Sequence, residues 1–269
     1  MSLREKLLDW AAVRRLTVKP STSAYHGELI ALLCRVWPNG TASEVETITE
    51  TDVTHLAEKL YHLSASRWNG IVTLLRSVSP IGARHLRRRR IQIKDRPLLS
   101  QLEFSRLLAE CDKLKRSRAG IVVRFLAHTG LRINEAKQLR WSDVGECVFM
   151  VPGSITKNGR PRAIPFVNGV AEVLKDLRAI RSGQDAGGYV LPRARIRTGL
   201  AKACDAAGIA RLSHHDFRHL FATRCIQSGA DVPTVARWLG HRDGGALLGR
   251  IYFHLADEHS CRMAKLVRI

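Results

Sequence analysis

The sequence has no apolar run of about 18 residues, so it offers no helix long enough to span a bilayer. Its start, MSLREKLLDWAAVRRL, is amphipathic and carries Glu5 and Asp9. It lacks the apolar stretch and small-residue cleavage site of a secretory leader. No CxxC pair occurs. The six cysteines (Cys34, Cys111, Cys147, Cys204, Cys225 and Cys261) are scattered, which points to free thiols in a reducing cytosol rather than a disulfide frame or a zinc site. No internal repeat is present, which argues against a solenoid. Acidic residues are scarce: 24 Asp and Glu stand against 44 Lys and Arg, giving a net charge of +20.

That imbalance is the strongest compositional signal. A globular chain with a pI near 10.6 repels itself unless a polyanion is its working partner. Nucleic acid is the leading candidate, because each phosphate met by a lysine or arginine releases counterions. With 269 residues and an apolar share of 45%, the chain suits one large domain or two smaller ones.

The clearest composition shift is GARHLRRRRIQIKDRP, residues 82–97. It is dense in arginine and closes on Pro97, which disfavours helix at Arg96. It reads as an inter-domain linker whose Arg87, Arg88, Arg89 and Arg90 strap across phosphates. Residues 1–81 before it read as a small helical DNA-binding domain. Four helices are expected there, over residues 3–16, 21–37, 51–63 and about 64–78. Ser21 or Thr22 is expected to cap the second, with Leu29, Leu32, Leu33 and Val36 at helical spacing.

Residues 98–269 read as a second domain. SQLEFSRLLAECDKL has a capping-box start at Ser100 and Glu103, AGIVVRFLAHTG is a mostly apolar and so buried helix, and RINEAKQLRW is expected to be a third. The period then changes. ECVFMV, GSITK and PRAIPF look like short strands, with turns at Pro152-Gly153 and Asn158-Gly159. Helices resume from Val170. The fold class expected is therefore mainly α with a small antiparallel β-sheet.

Four local features call for a joint explanation. Arg132 stands in TGLRINEA, where a helical run breaks at a glycine. Lys157 lies at the tip of the expected hairpin, with Arg160 and Arg162 beside it. His215 and Arg218 in SHHDFRHLFATR are three apart, on one face of a helix. His241 follows the Leu-Gly break in WLGH, and Tyr252 comes eleven positions later. Two arginines make a fork-like clamp for a phosphate and its transition state. A histidine can share a proton near neutral pH, and a tyrosine can be a covalent nucleophile. No Asp/Glu cluster with metal spacing lies nearby. The histidines His214, His215, His219 and His241 lack a carboxylate or cysteine to complete a metal site, so no metal and no other cofactor is expected.

The order Arg, Lys, His-x-x-Arg, Leu-Gly-His, Tyr resembles the tyrosine recombinase (phage integrase) family, and TGLR, HDFRHLFATR and WLGH carry the likeness. It covers residues 97–269 well and the N-terminal bundle, similar to the family's core-binding domain, less closely. The resemblance implies a site-specific DNA recombinase. Arg132 and Arg218 would hold the scissile phosphate, Lys157 would protonate the departing 5′ oxygen, His215 would assist proton transfer, and His241 would hydrogen-bond the phosphate. Tyr252 would attack, leaving a 3′-phosphotyrosyl enzyme without metal or ATP. Glu135, one turn after Arg132, would orient or neutralise an arginine. Arg160 and Arg162, with Arg87 to Arg90, would contact DNA.

The likeness further implies double-stranded DNA as partner, a homotetramer on two DNA sites with a monomer or dimer in its absence, and a cytoplasmic, nucleoid-associated location. The gap from His241 to Tyr252 is longer than the family's usual one, with Gly244-Gly245 inside it, so a longer loop should feed the nucleophile. The tail LADEHSCRMAKLVRI is expected to be a helix that docks on a neighbouring subunit. On length, no additional N-terminal arm-binding domain is expected. The competing readings are DNA relaxation of the type IB topoisomerase kind and a non-catalytic DNA-binding regulator.

Overall fold

Short-range chemistry sets where the first helices begin. The computed structural model describes residues 1–37, 48–92, 99–180, 188–192 and 196–241. Its N-terminal part forms α1 (Leu3–Arg15), α2 (Pro20–Val36), α3 (Glu50–Lys59) and α4 (Ala65–Val78). Ser2 with Glu5 and Thr49 with Asp52 form capping boxes that satisfy the first amides of α1 and α3. At α2 the expectation fails. Neither Ser21 nor Thr22 caps it; Pro20 opens the helix behind Lys19, because a fixed φ and a missing N–H suit the first turn. Leu29 and Leu33 of α2, Val53 and Leu56 of α3, and Trp68, Ile71, Leu74 and Leu75 of α4 close one core with Leu3 and Leu7.

Contacts divide the chain into two units, Met1–Asp95 and Arg96–Ile269. The arginine-rich stretch, expected as an inter-domain linker over residues 82–97, thus starts inside the first unit. Ala83 and Leu86 are buried in the bundle core. Trp68 Nε1 donates to the Arg87 carbonyl at 2.8 Å, and the Asn69 amide pairs with both backbone groups of Arg89 at 2.8 and 2.9 Å. Arg89 itself turns inward. Its guanidinium lies 4.6 Å from the Trp68 ring centroid and donates to the Tyr61 and Leu63 carbonyls at 2.8 Å each. These carbonyls follow the end of α3, where backbone acceptors lack helical partners. Arg87, Arg88 and Arg90 are exposed, and Arg88 reaches the Thr73 hydroxyl at 3.1 Å.

The second unit contains α5 (Gln101–Lys113), α6 (Ala119–Thr129), the single turn α7 (Ile133–Ala136), β1 (Val148–Val151), β2 (Arg162–Pro165), α8 (Val170–Ile180), α9 (Ile196–Ala207), α10 (His214–Gln227) and α11 (Val232–Leu239). Helix α6 is apolar almost all round and sits at the centre, against α5, α8, α9 and α10. β1 and β2 pair antiparallel, with Val151 opposite Arg162 and Val148 opposite Pro165. The structure is thus mainly helical around a two-stranded sheet. Among the described residues no helix is long and apolar enough to cross a membrane.

Two expected elements differ. GSITK is not a strand: Gly153–Ile155 is a 3-10 turn, and Gly153 approaches the Gly159 carbonyl so closely that a Cβ would lie 2.4 Å from it. RINEAKQLRW gives one helical turn rather than three. Its later backbone is taken by long-range partners instead, since Val190 N donates to the Leu139 carbonyl at 2.9 Å and Trp141 N to that of Gly188 at 2.8 Å.

Replacing Arg89 by alanine should lower the stability of the first unit by about 2–3 kcal/mol, through lost charged hydrogen bonds and ring contact. Urea unfolding measures this. The salt dependence of DNA binding should stay the same; a shallower slope without destabilisation would return Arg89 to the DNA surface.

Candidate active site

Two helices of the second unit end in the same way. Helix α6 stops at Gly130, with φ of +61°, and α11 stops at Gly240, with φ of +68°. This left-handed cap favours glycine. At Gly130 space also demands it, since a Cβ would lie 2.5 Å from the Phe221 ring and 2.7 Å from Leu239. Each glycine turns the chain into a candidate residue. Beyond Gly130, buried Leu131 leads to Arg132, which occupies the N-cap position of α7. Beyond Gly240 comes His241, half-buried, whose backbone N–H donates to the Ala236 carbonyl at 3.0 Å.

Helix α10 supplies the next pair. Ser213 and Asp216 form its capping box, which sets the helix in phase so that His215 and Arg218 share a face. Arg218 is only 4% exposed. Its guanidinium donates to the Gly130 carbonyl at 2.9 Å and to the Leu239 carbonyl at 2.5 Å. One side chain thereby joins the corner that presents Arg132 to the corner that presents His241. The carbonyls at helix C-termini carry partial negative charge, which suits a buried cation.

Glu135 is the acidic member of the group, with a side chain 2% exposed. It accepts from the Arg132 backbone N–H at 3.0 Å and from the Arg132 guanidinium at 2.9 Å. It also accepts from Arg162 at 2.6 and 3.3 Å. Burial pushes its carboxyl up, but the hydrogen bonds and charge of Arg162, with the Arg132 contacts, outweigh this and hold it below its ordinary pKa. Arg162 was expected on DNA. Its side chain is instead 7% exposed and donates from Nε to the Trp238 carbonyl at 2.8 Å.

His215 is exposed, with the His219 ring edge-on at 5.6 Å between centroids. Partial desolvation holds its imidazole below the ordinary pKa, and the charges of His219, Arg218 and Arg132 add to the effect. The charges of Arg132 and Arg218 are thus felt at the His215 ring. Lys157 is exposed on the loop between β1 and β2, two residues before Gly159 with φ of +73°. Thr156 closes that loop by donating from its hydroxyl to the Gly153 and Arg160 carbonyls at 2.9 and 3.1 Å. Arg160 is exposed. Tyr252, His254 and the tail lie outside the described residues. Sequence reading gave two neighbours other places, His219 outside the catalytic set and Arg162 on DNA. His219 lies one turn from His215, which the His-x-x-x-His spacing could have signalled. Arg162 shares a face of β2 with buried Ile164, which marks an inward position.

Fixed positive charge around an exposed, neutral imidazole is an arrangement suited to a phosphodiester. The cations stabilise the extra negative charge of a pentavalent phosphorus, and the imidazole accepts or relays a proton.

The phage integrase family model matches residues 97–259, and the chain belongs to that family. It is similar to the tyrosine recombinase XerA of Saccharolobus solfataricus, at 28% identity over 166 residues, 62% of this chain and 55% of the relative. It is also similar to XerC of Anoxybacillus flavithermus, at 28% over 158 residues, 51% of this chain and 50% of the relative. The chain spans about half the length of these curated relatives. Among solved structures, the Tn1549 transposon integrase in complex with transposon right end DNA aligns with a TM-score of 0.79 at 15% identity, covering 98% of this chain and 100% of that one. A lambda integrase dimer bound to a COC′ core site aligns at 0.76 and 17% identity, covering 91% and 96%. These likenesses establish the fold.

Glu135→Ala should cost about 3–5 kcal/mol, because it leaves Arg162 buried without its partner. The carboxyl's pKa is lower folded than unfolded, so the unfolded chain takes its proton first. Its stabilisation is full above the ordinary carboxylate range and is lost as the pH falls through that range toward the folded value. Acid titration of the unfolding midpoint, compared between the native chain and Glu135→Gln, reads this slope. By the same logic, the His215 ring should titrate below about 6.5 in NMR, and Arg132→Ala should move it upward. A His215 pKa above that value would contradict the described cluster.

Proposed function

We propose that this chain is a site-specific DNA recombinase that cuts and rejoins strands through a covalent tyrosyl intermediate. The reading is supported chiefly by the way Arg218 ties the Gly130 and Leu239 corners together, and by the charges of Arg132 and Arg218 acting on the His215 ring. Membership of the phage integrase family supports it further.

In this mechanism Arg132 and Arg218 hold the non-bridging oxygens of the scissile phosphate, and His241 donates a hydrogen bond to it. A free phenol has a pKa of about 10; fixed positive charge favours the phenolate of Tyr252, and neutral His215 takes the proton. The phenol oxygen forms a bond to phosphorus while the bond to the 5′ oxygen breaks, and Lys157 gives that oxygen a proton. The product is a 3′-phosphotyrosyl ester and a free 5′ hydroxyl. The ester keeps the energy of the bond it replaces. Attack by a 5′ hydroxyl from a partner strand then reverses the step and releases Tyr252, with no nucleotide hydrolysed.

Double-stranded DNA is the partner this reading requires. A lambda integrase tetramer bound to a Holliday junction aligns at a TM-score of 0.76 and 17% identity. By analogy, four copies of this chain on two DNA sites would carry out exchange, in the cytoplasm and on the nucleoid. Exposed Arg87, Arg88, Arg90 and Arg160 are the arginines proposed to meet phosphates.

A nicked suicide duplex, in which the 5′ fragment diffuses away, should trap the chain as a covalent adduct visible on a denaturing gel. Tyr252→Phe should abolish the adduct and leave the Kd for duplex within about twofold, since binding rests on phosphate contacts. Arg218→Lys should slow adduct formation by at least about 100-fold. An adduct formed by the phenylalanine variant would remove Tyr252 as nucleophile. Relaxation of any supercoiled plasmid by a monomer would indicate a topoisomerase instead.

A further inference from the structure

Arg162 lies on the strand that follows the Lys157 loop. In β2 the side chains alternate, so Arg162 and buried Ile164 point the same way while Ala163 is exposed. An arginine thus takes a core-facing strand position, where an aliphatic residue is the ordinary occupant. All three of its guanidinium nitrogens are used. Nε donates to the Trp238 carbonyl at 2.8 Å, and the two terminal nitrogens donate to Glu135 at 3.3 and 2.6 Å. Its stem runs under the Gly240 turn, where a Cβ would lie 3.0 Å from the Arg162 Cδ.

The identity of these partners gives the arrangement its meaning. Each Glu135 oxygen that Arg162 holds is also held by Arg132, one by its guanidinium and the other by its backbone N–H. A shift of Arg162 therefore moves the carboxylate and, through it, Arg132. The Trp238 carbonyl lies just before Leu239, Gly240 and His241, so the same shift moves the turn that presents His241. We propose that Arg162 is a positioning residue for strand cleavage: it fixes Arg132 through Glu135 and the His241 corner through the Trp238 carbonyl, and it does not contact DNA. This inference rests on the reading of the site as a recombinase centre. Lysine cannot replace it, because one ammonium cannot reach three acceptors with the planar geometry of a guanidinium.

The test uses the full chain and a nicked suicide duplex, drawn by covalent capture with the wild-type chain from a pool with randomised cores. Three quantities are measured for Arg162→Lys: unfolding midpoint, affinity against salt, and single-turnover adduct rate at saturating enzyme. The inference expects the adduct rate to fall on the order of 10- to 100-fold, as misplacement of reacting groups does, with an unchanged salt slope. In a Glu135→Gln background the same lysine change should cost less than it does alone, since the two act through one link. An adduct formed at the wild-type rate overturns the inference. So does a salt slope shallower by about one, the signature of a lost phosphate contact. If Arg162→Lys unfolds, Glu135→Gln alone probes the link with a smaller change: a slowed adduct on a folded chain supports it, and an unchanged rate overturns it. Absence of any adduct from the wild-type chain would instead remove the reading of the site, and this inference with it.

Discussion

The contact of the Arg218 guanidinium with two helix-end carbonyls is the constraint on which the rest of the site depends. A buried cation needs acceptors, and helix C-termini have carbonyls that no amide of their own helix reaches. Here the ends of α6 and α11 each supply one. The arrangement answers why an uncharged corner of the core contains an arginine at all. The same bonds that make Arg218 tolerable inside the protein fix the separation of the Gly130 and Gly240 turns. Those turns carry Arg132 and His241, so the geometry at the surface is set from beneath.

Charge balance follows the same division. Glu135 is shared by Arg132 and Arg162, one carboxylate for two guanidiniums. The pair and its partner leave a positive remainder beside His215. Because Arg162 is sequestered and Arg132 is 27% exposed, the excess charge faces outward where an anion can approach. An exposed imidazole kept neutral in that field is suited to accept a proton, whereas a protonated one would compete for the same phosphate.

Much of this could be seen in the residue order. Helical stripes such as Trp68, Ile71, Leu74 and Leu75 marked the bundle, and Ser100 with Glu103 marked the start of α5, because these signals act within a turn or two of chain. The glycines before Arg132 and His241 announced corners for the same reason. What was not legible depended on distant chain. α7 is short because residues 188–190 take the backbone groups that a longer helix would use. Arg162 read as a surface cation because its acceptors, Glu135 and Trp238, lie far away in sequence. Arg89 was hidden likewise, since a run of four arginines looks uniform until Trp68 and the end of α3 claim one of them. Tyr252, the nucleophile proposed from residue order, lies outside the described residues.

The tethering of residues 83–89 to the bundle bears on how the polypeptide can be dissected. Composition suggests cutting after residue 81, at the edge of the arginine run. That cut would strip Ala83 and Leu86 from the apolar interior, leave the Trp68 indole N–H without its carbonyl, and uncover the end of α3. Truncated at that point, the amino-terminal fragment would lose its own plug. A fragment ending beyond Arg90 keeps the plug in place and retains three outward-facing guanidiniums at its margin.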